Sequence, residues 1–186
     1  VREQTSYLTA GGSLVDAASA AGDLPLPPVR VFERPVDAAG AVDGVPRVVL
    51  FVRLTGGNGG GTRTGSVLAT LESCGPGGTA CAPAGSGSSG NVSQRASDTT
   101  RLAFDLSASQ APLVPGGVLR LTVSLGSTGN SSSADLLLGG ATDSSVVVPQ
   151  TDPAAPASGA LPVVGVGLLT SAAAALRRRR SARSRR

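Results

Sequence analysis

Over much of its length the chain places an apolar residue at every second position, the signature of strands with one buried face. RVVLFVRL, from Arg47 to Leu54, puts Val48, Leu50, Val52 and Leu54 on one side. From Arg101 to Leu106 the pattern sends Leu102, Phe104 and Leu106 inward and Arg101 and Asp105 outward. LRLTVSL, Leu119 to Leu125, alternates most cleanly, with Leu119, Leu121, Val123 and Leu125 against Arg120, Thr122 and Ser124. Thr5–Thr9, Val29–Glu33, Ser66–Ser73, Ala134–Leu138 and Ser144–Val148 follow the rule more weakly. Gly, Pro, Ser and Asn clusters such as GGNGGG and VPGG separate these runs and read as turns. About eight short strands of this kind predict an all-β chain, an antiparallel β-sandwich of Ig-like or jelly-roll type.

The pattern breaks after residue 148. PQTDPAAPASG, residues 149–159, reads as a Pro/Ala/Ser linker, and residues 160–176 carry no charge. Seven arginines follow in the last ten residues: Arg177, Arg178, Arg179, Arg180, Arg183, Arg185 and Arg186. The sixteen residues from Leu161 to Leu176 span roughly 24 Å as a helix, against a hydrocarbon core of about 30 Å, so the span needs extension or a thinned bilayer. Arginine sets the orientation. Moving seven positive charges outward against an inside-negative potential costs roughly 16 kcal/mol per 100 mV. The sequence therefore predicts four parts: an extracytoplasmic sandwich (1–148), the linker (149–159), one transmembrane or sorting-signal helix (160–176) and a cytoplasmic stop-transfer tail (177–186). The rival readings are a buried Ala-rich helix for the apolar segment and a nucleic-acid-binding arm for the tail. An apolar surface all round the segment argues against the first, and its apolar character immediately before the tail argues against the second.

Charge belongs to the tail. The formal net charge is +4, but the residues before Arg177 hold nine arginines and twelve acids, a net of −3. Lys and His are absent, and Val rather than Met stands first. A tail retained inside requires an exported front, so Val1 reads as a mature N-terminus left by signal-peptide cleavage, an alternative start codon or the edge of a fragment. Cys74 and Cys81 flank GPGGTA, a turn sequence, and predict a disulfide across one hairpin loop. An eight-residue ring contributes roughly 2.5 kcal/mol by loop entropy, and oxidation fits an extracytoplasmic home. The rival readings of the pair, a two-ligand metal clip or free thiols, lack further His or Cys ligands.

Two resemblances sharpen this picture. A Pro/Ala/Ser spacer, the pentapeptide Leu161-Pro162-Val163-Val164-Gly165, an apolar stretch and an arginine tail together resemble the C-terminal cell-wall sorting signal of Gram-positive surface proteins. That family carries LPxTG, which a membrane sortase cleaves between Thr and Gly before linking the Thr to the cell wall. Here Val164 replaces the Thr, and a site built to pair a hydroxyl rejects its absence. The resemblance thus implies location more than covalent attachment: either a bare membrane anchor or a substrate of a sortase with relaxed specificity. The order FDL, VPGG, LRLTVSL (Phe104–Leu106, Val114–Gly117, Leu119–Leu125) resembles the accessory jelly-roll modules appended to secreted hydrolases.

Chemistry is constrained mainly by what is missing. Without His or Lys, Ser/His/Asp, Cys/His and Ser/Lys nucleophiles, Schiff bases and Lys–Asn isopeptide staples are excluded within this chain. The carboxylates of Glu3, Glu33 and Glu72 and the scattered aspartates have no recognisable catalytic setting. TGGNGGGTRTG, Thr55 to Gly65, lacks the Lys and the following helix of a phosphate-binding loop and reads as a hairpin loop. Asp98, Asp105, Asp135 and Asp143 lack the spacing of a Ca²⁺ loop and read as solvated turn residues. Asn91 and Asn130 stand in N-x-S sequons. Three Phe and one Tyr leave few aromatic platforms, and Phe51 falls on the face opposite its strand's apolar side. No cofactor, metal or nucleic acid is expected. The leading reading is a non-catalytic surface display, adhesion or binding module held in the cell membrane or cell wall, with an extracellular protein or glycan as ligand. The alternative is the C-terminal accessory β-domain of a larger secreted or surface-anchored hydrolase whose catalytic part precedes Val1.

Overall fold

The computed structural model describes residues 1–17, 21–26, 29–56, 61–126 and 129–152. The chain divides into two units, Val1–Pro153 and Ala154–Arg186, of which only the first is described below. The sorting-like motif at Leu161–Gly165 and the arginines from Arg177 onward therefore lie outside the described residues. Among the described residues no helix is long and apolar enough to cross a membrane.

The described chain is all strand and turn. Its first strands are β1 (Arg2–Leu8), β2 (Leu14–Val15), β3 (Gly22–Leu26), β4 (Arg30–Pro35) and β5 (Gly40–Gly44). The middle of the chain forms β6 (Arg47–Thr55), β7 (Thr62–Gly65), β8 (Val67–Cys74), β9 (Ala82–Ser88) and β10 (Val92–Arg95). The last are β11 (Thr100–Asp105), β12 (Ser109–Leu113), β13 (Val118–Leu125), β14 (Ser133–Leu138) and β15 (Ser145–Thr151). All strand pairings are antiparallel.

Two sheets pack face to face. In the larger, β5 and β6 run on as one bent central strand, paired on one side by β12 and β11 and on the other by β15 and β14. β1 extends that sheet beyond β15, and β3 extends it beyond β14. The smaller sheet has the order β4-β13-β8-β9, and β7 and β10 form a separate two-stranded ribbon. The predicted alternation is what fills the space between the sheets. Val48, Leu50, Val52 and Leu54 of β6 are at most 1% exposed and meet Leu71, Leu121 and Val123 from the other sheet. Each such side chain contributes roughly 1.5–3 kcal/mol when withdrawn from water.

Both sides of the sandwich are bridged. On one, Ser107 N donates to Ser86 O at 2.7 Å, and Ser109 Oγ donates to Pro83 O at 2.6 Å, joining β9 to the β11–β12 connection. This close approach requires glycine, since a Cβ on Gly87 would lie 2.6 Å from Asp105 O. On the other, Ser13 bridges Glu33, and Glu33 N donates to Gly12 O at 2.9 Å.

The structure corrects the sequence reading in three places. Fifteen strands stand among the described residues where about eight are predicted. β9 (APAGSGS) and β12 (SQAPL) carry no alternation of large apolar residues and are held by their neighbours' backbones instead. The strand before the predicted linker runs on to Thr151, so Pro149, Gln150 and Thr151 belong to the sheet. Pro149 falls where β15 has left β6 and not yet met β5, a gap in the ladder that tolerates proline. Finally, Thr62–Gly65 of the predicted Thr55–Gly65 loop is strand β7, paired with β10.

Candidate functional site

The inward positions of two strands change character from one end of the sandwich to the other. On β1 the inward residues run Leu8, Ser6, Gln4, Arg2, and on β15 they run Val146, Val148, Gln150; β4 places the buried Phe32 between Arg30 and Arg34. The register Ser6↔Val146, Gln4↔Val148, Arg2↔Gln150 sets these residues side by side. The result is an apolar core at one end and, at the other, a polar mouth opening between the sheets.

The mouth is a cleft of about 140 Å³ lined by Arg2, Gln4, Arg34, Gln150, Leu113 and Leu119, with the β4–β5 loop (Val36–Ala39) and Asp152 at its rim. Arg34 is fixed: its Nη1 lies 2.9 Å from Asp16 Oδ1 and donates to Ser6 Oγ at 3.1 Å. Gln4 Nε2 donates to the same Asp16 oxygen at 3.4 Å. Arg2 pairs with Asp152 at 3.2 Å on the exposed rim. Gln150 is different. It is 9% exposed, and its side-chain amide has no hydrogen-bond partner, yet both amide atoms keep access to the cleft. An amide that makes no hydrogen bond to the protein and faces the cleft adds little to the fold and is free to pair with whatever occupies the cleft.

Two arginines and two aspartates line the cleft; both arginines are paired, Arg34 with Asp16 outside the lining, and Asp37 in the rim loop makes no ion pair among the described residues. The lining presents guanidinium, carboxylate and amide groups beside aliphatic side chains. The sequence reading missed this site, although its signal is present: in REQTSYL the strand's alternation continues past Leu8 into Ser6, Gln4 and Arg2.

The predicted disulfide is formed, joining Cys74 at the end of β8 to Cys81 before β9. The clip sits beside Arg120, which is centred on the outer face of the small sheet between Glu33 and Glu72 in direct register. Arg120 Nε donates to Glu33 Oε1 at 2.7 Å, Nη2 to Gly78 O at 3.4 Å and Nη1 to Cys81 Sγ at 3.6 Å. One guanidinium thus ties β4, β13 and the clip together. Glu72 approaches both sulfurs, and this is the one grouping of three potential metal-ligand side chains among the described residues. Its two sulfurs are occupied by the bond between them.

The remaining predicted positions are dispersed. Asp105 lies 3.8 Å from Arg47 in an exposed ion pair, and the four aspartates weighed for Ca²⁺ do not come together. Asn130 is structural: its Oδ1 accepts from Thr64 N at 2.7 Å, and its Nδ2 donates to Thr62 O at 3.2 Å. Glycosylation there would break the anchor of β7, whereas Asn91 is exposed in the β9–β10 loop. Phe51 is half-buried, and its backbone N–H donates to Ser144 Oγ at 3.0 Å.

No protein-family model matches the chain, and no curated protein matches it in sequence. Its fold does match solved structures. A CocE/NonD family hydrolase from Staphylococcus aureus superposes with a TM-score of 0.69 and 14% identity over 81% of this chain and 37% of the hydrolase. An α-amino acid ester hydrolase gives 0.61 and 13% over 80% of this chain and 36% of its own. An aminopeptidase from a marine-sediment Thaumarchaeota archaeon gives 0.64 and 10% over 82% and 37%. The chain thus spans little more than a third of the proteins whose fold it shares.

Proposed function

We propose that this chain is a non-catalytic accessory β-sandwich of a larger secreted or surface-anchored hydrolase. One observation carries the reading: about four-fifths of the chain superposes on a little over a third of three hydrolases. The lack of His and Lys assigns the covalent chemistry of such an enzyme to another part of it. The decisive test is the size of the native gene product, detected with an antibody raised against the sandwich. The reading expects a band several times larger than the 18.1 kDa of this chain, carrying esterase or aminopeptidase activity in the immunoprecipitate. A native band of 18.1 kDa without such activity would overturn it.

A second reading, display of the sandwich at the cell surface by its C-terminus, is supported by the uncharged run from Leu161 to Leu176 ahead of seven arginines. The two are compatible, because a hydrolase can be displayed in the same way. Protease added to whole cells should remove the sandwich while leaving a membrane-bound C-terminal fragment. A freely soluble cytosolic pool would contradict surface display. Val164→Thr separates the two modes of anchoring: wall linkage that appears only in the variant identifies the native segment as a bare membrane anchor.

A further inference from the structure

We propose that the mouth between the sheets binds one neutral hydroxylated ring, a single sugar unit, with Gln150 as its principal hydrogen-bonding partner. The proposal goes beyond the accessory-module reading and holds whether or not a hydrolase domain shares the polypeptide.

Size comes first. The cleft measures about 140 Å³. That suits one ring and falls well below the ~300 Å³ at which sites for drug-sized ligands begin. Charge comes second. Both arginines are already neutralised, Arg34 by Asp16 at 2.9 Å and Arg2 by Asp152 at 3.2 Å. A free anion finds no unpaired cationic partner in the lining, and the one carboxylate left without an ion pair there, Asp37, stands in the rim loop and not beside Gln150 in sequence or register. Hydrogen bonding comes third. The enclosed Gln150 amide presents an acceptor and two donors without partners, and a sugar hydroxyl both donates and accepts at one oxygen. Gln4 offers a second amide from the adjacent strand, at a register position beside Val148. Leu113 and Leu119, 7% and 2% exposed, supply an apolar surface for the C–H face of the ring. No aromatic residue lines the cleft. Binding therefore relies on amides and aliphatic contact, with millimolar affinity, as expected of a ligand of about a dozen heavy atoms.

The test uses the full chain, ¹⁵N-labelled and held in a zwitterionic detergent without a sugar headgroup. Methyl glucoside, methyl mannoside and N-acetylglucosamine are titrated in turn while side-chain and backbone amides are followed by NMR. At least one of them should shift the Gln150 side-chain NH₂ signals saturably, together with the backbone of Ala38 to Gly40. In Gln150→Leu, where the side-chain NH₂ reporter is itself removed, the sugar should no longer shift the backbone of Ala38 to Gly40, and Gln4→Ala should weaken binding several-fold. Glycinamide and acetate, run alongside, represent peptide amides and carboxylates. The proposal fails if no sugar moves the Gln150 signals, if the Ala38 to Gly40 shifts survive Gln150→Leu, or if only glycinamide or acetate moves the Gln150 signals. None of these outcomes depends on the size or activity of the native gene product.

Discussion

At the two ends of the space between the sheets, β1 and β15 contribute the same face to different environments. At the closed end they present Leu8 and Val146, which with Phe32 of β4 are each at most 1% exposed; at the mouth they present Gln4 and Gln150 beside Arg34. Backbone pairing is continuous across both, so the fold tolerates either lining. The difference separates residues that hold the sandwich together from residues it positions. A buried Leu or Phe stabilises by leaving water, whereas an amide that faces the cleft without a protein partner adds little to folding and is available to a ligand.

Phe32→Ala should give the largest effect, about 3–5 kcal/mol lost in urea unfolding, because it opens a cavity under both sheets. A loss below about 1 kcal/mol would show that the closed end is not the stabilising end. Removing the clip by Cys74→Ser with Cys81→Ser should cost roughly 2.5 kcal/mol, with sugar binding at the mouth intact. Loss of binding in that variant at temperatures where it remains folded would mean that the two regions are coupled. Gly87→Val should cost about 1–3 kcal/mol, since its Cβ would meet Asp105 O at 2.6 Å and force β9 from the β11–β12 connection. Thermal melting is a sufficient readout there, and an unchanged midpoint would contradict the closure described. Arg34→Ala, two residues along β4 from Phe32, should cost only about 1 kcal/mol, because its partner Asp16 is 69% exposed. A loss approaching that of Phe32→Ala would erase the contrast between the ends.

Strands whose own residues carry the hydrophobic face were legible in the sequence. Val48, Leu50, Val52 and Leu54 are the buried set that their spacing predicts, and Leu119, Leu121 and Val123 behave in the same way. β9 and β12 were not legible, because small residues such as Ala84, Gly85 and Ala111 fit only against backbones brought there by distant strands. The disulfide was readable because both cysteines and their turn are local. The mouth was not, because Arg2, Gln4, Arg34 and Gln150 come from opposite ends of the domain. Separately, each reads as an ordinary polar strand residue. Only the register Arg2↔Gln150 and the facing strand β4 gather them. Gln150 was further concealed by standing in a segment whose prolines suggested a linker.

The central claim is that the polar mouth is maintained for a ligand and not for the fold, and the urea-unfolding free energy of Gln150→Leu without added ligand tests it most directly. Leucine removes an unpaired amide and adds apolar contact beside Leu113 and Leu119. The account predicts stability within about 0.5 kcal/mol of the parent, or above it. A loss of about 2 kcal/mol or more would show that Gln150 supports the sandwich itself and would contradict the account.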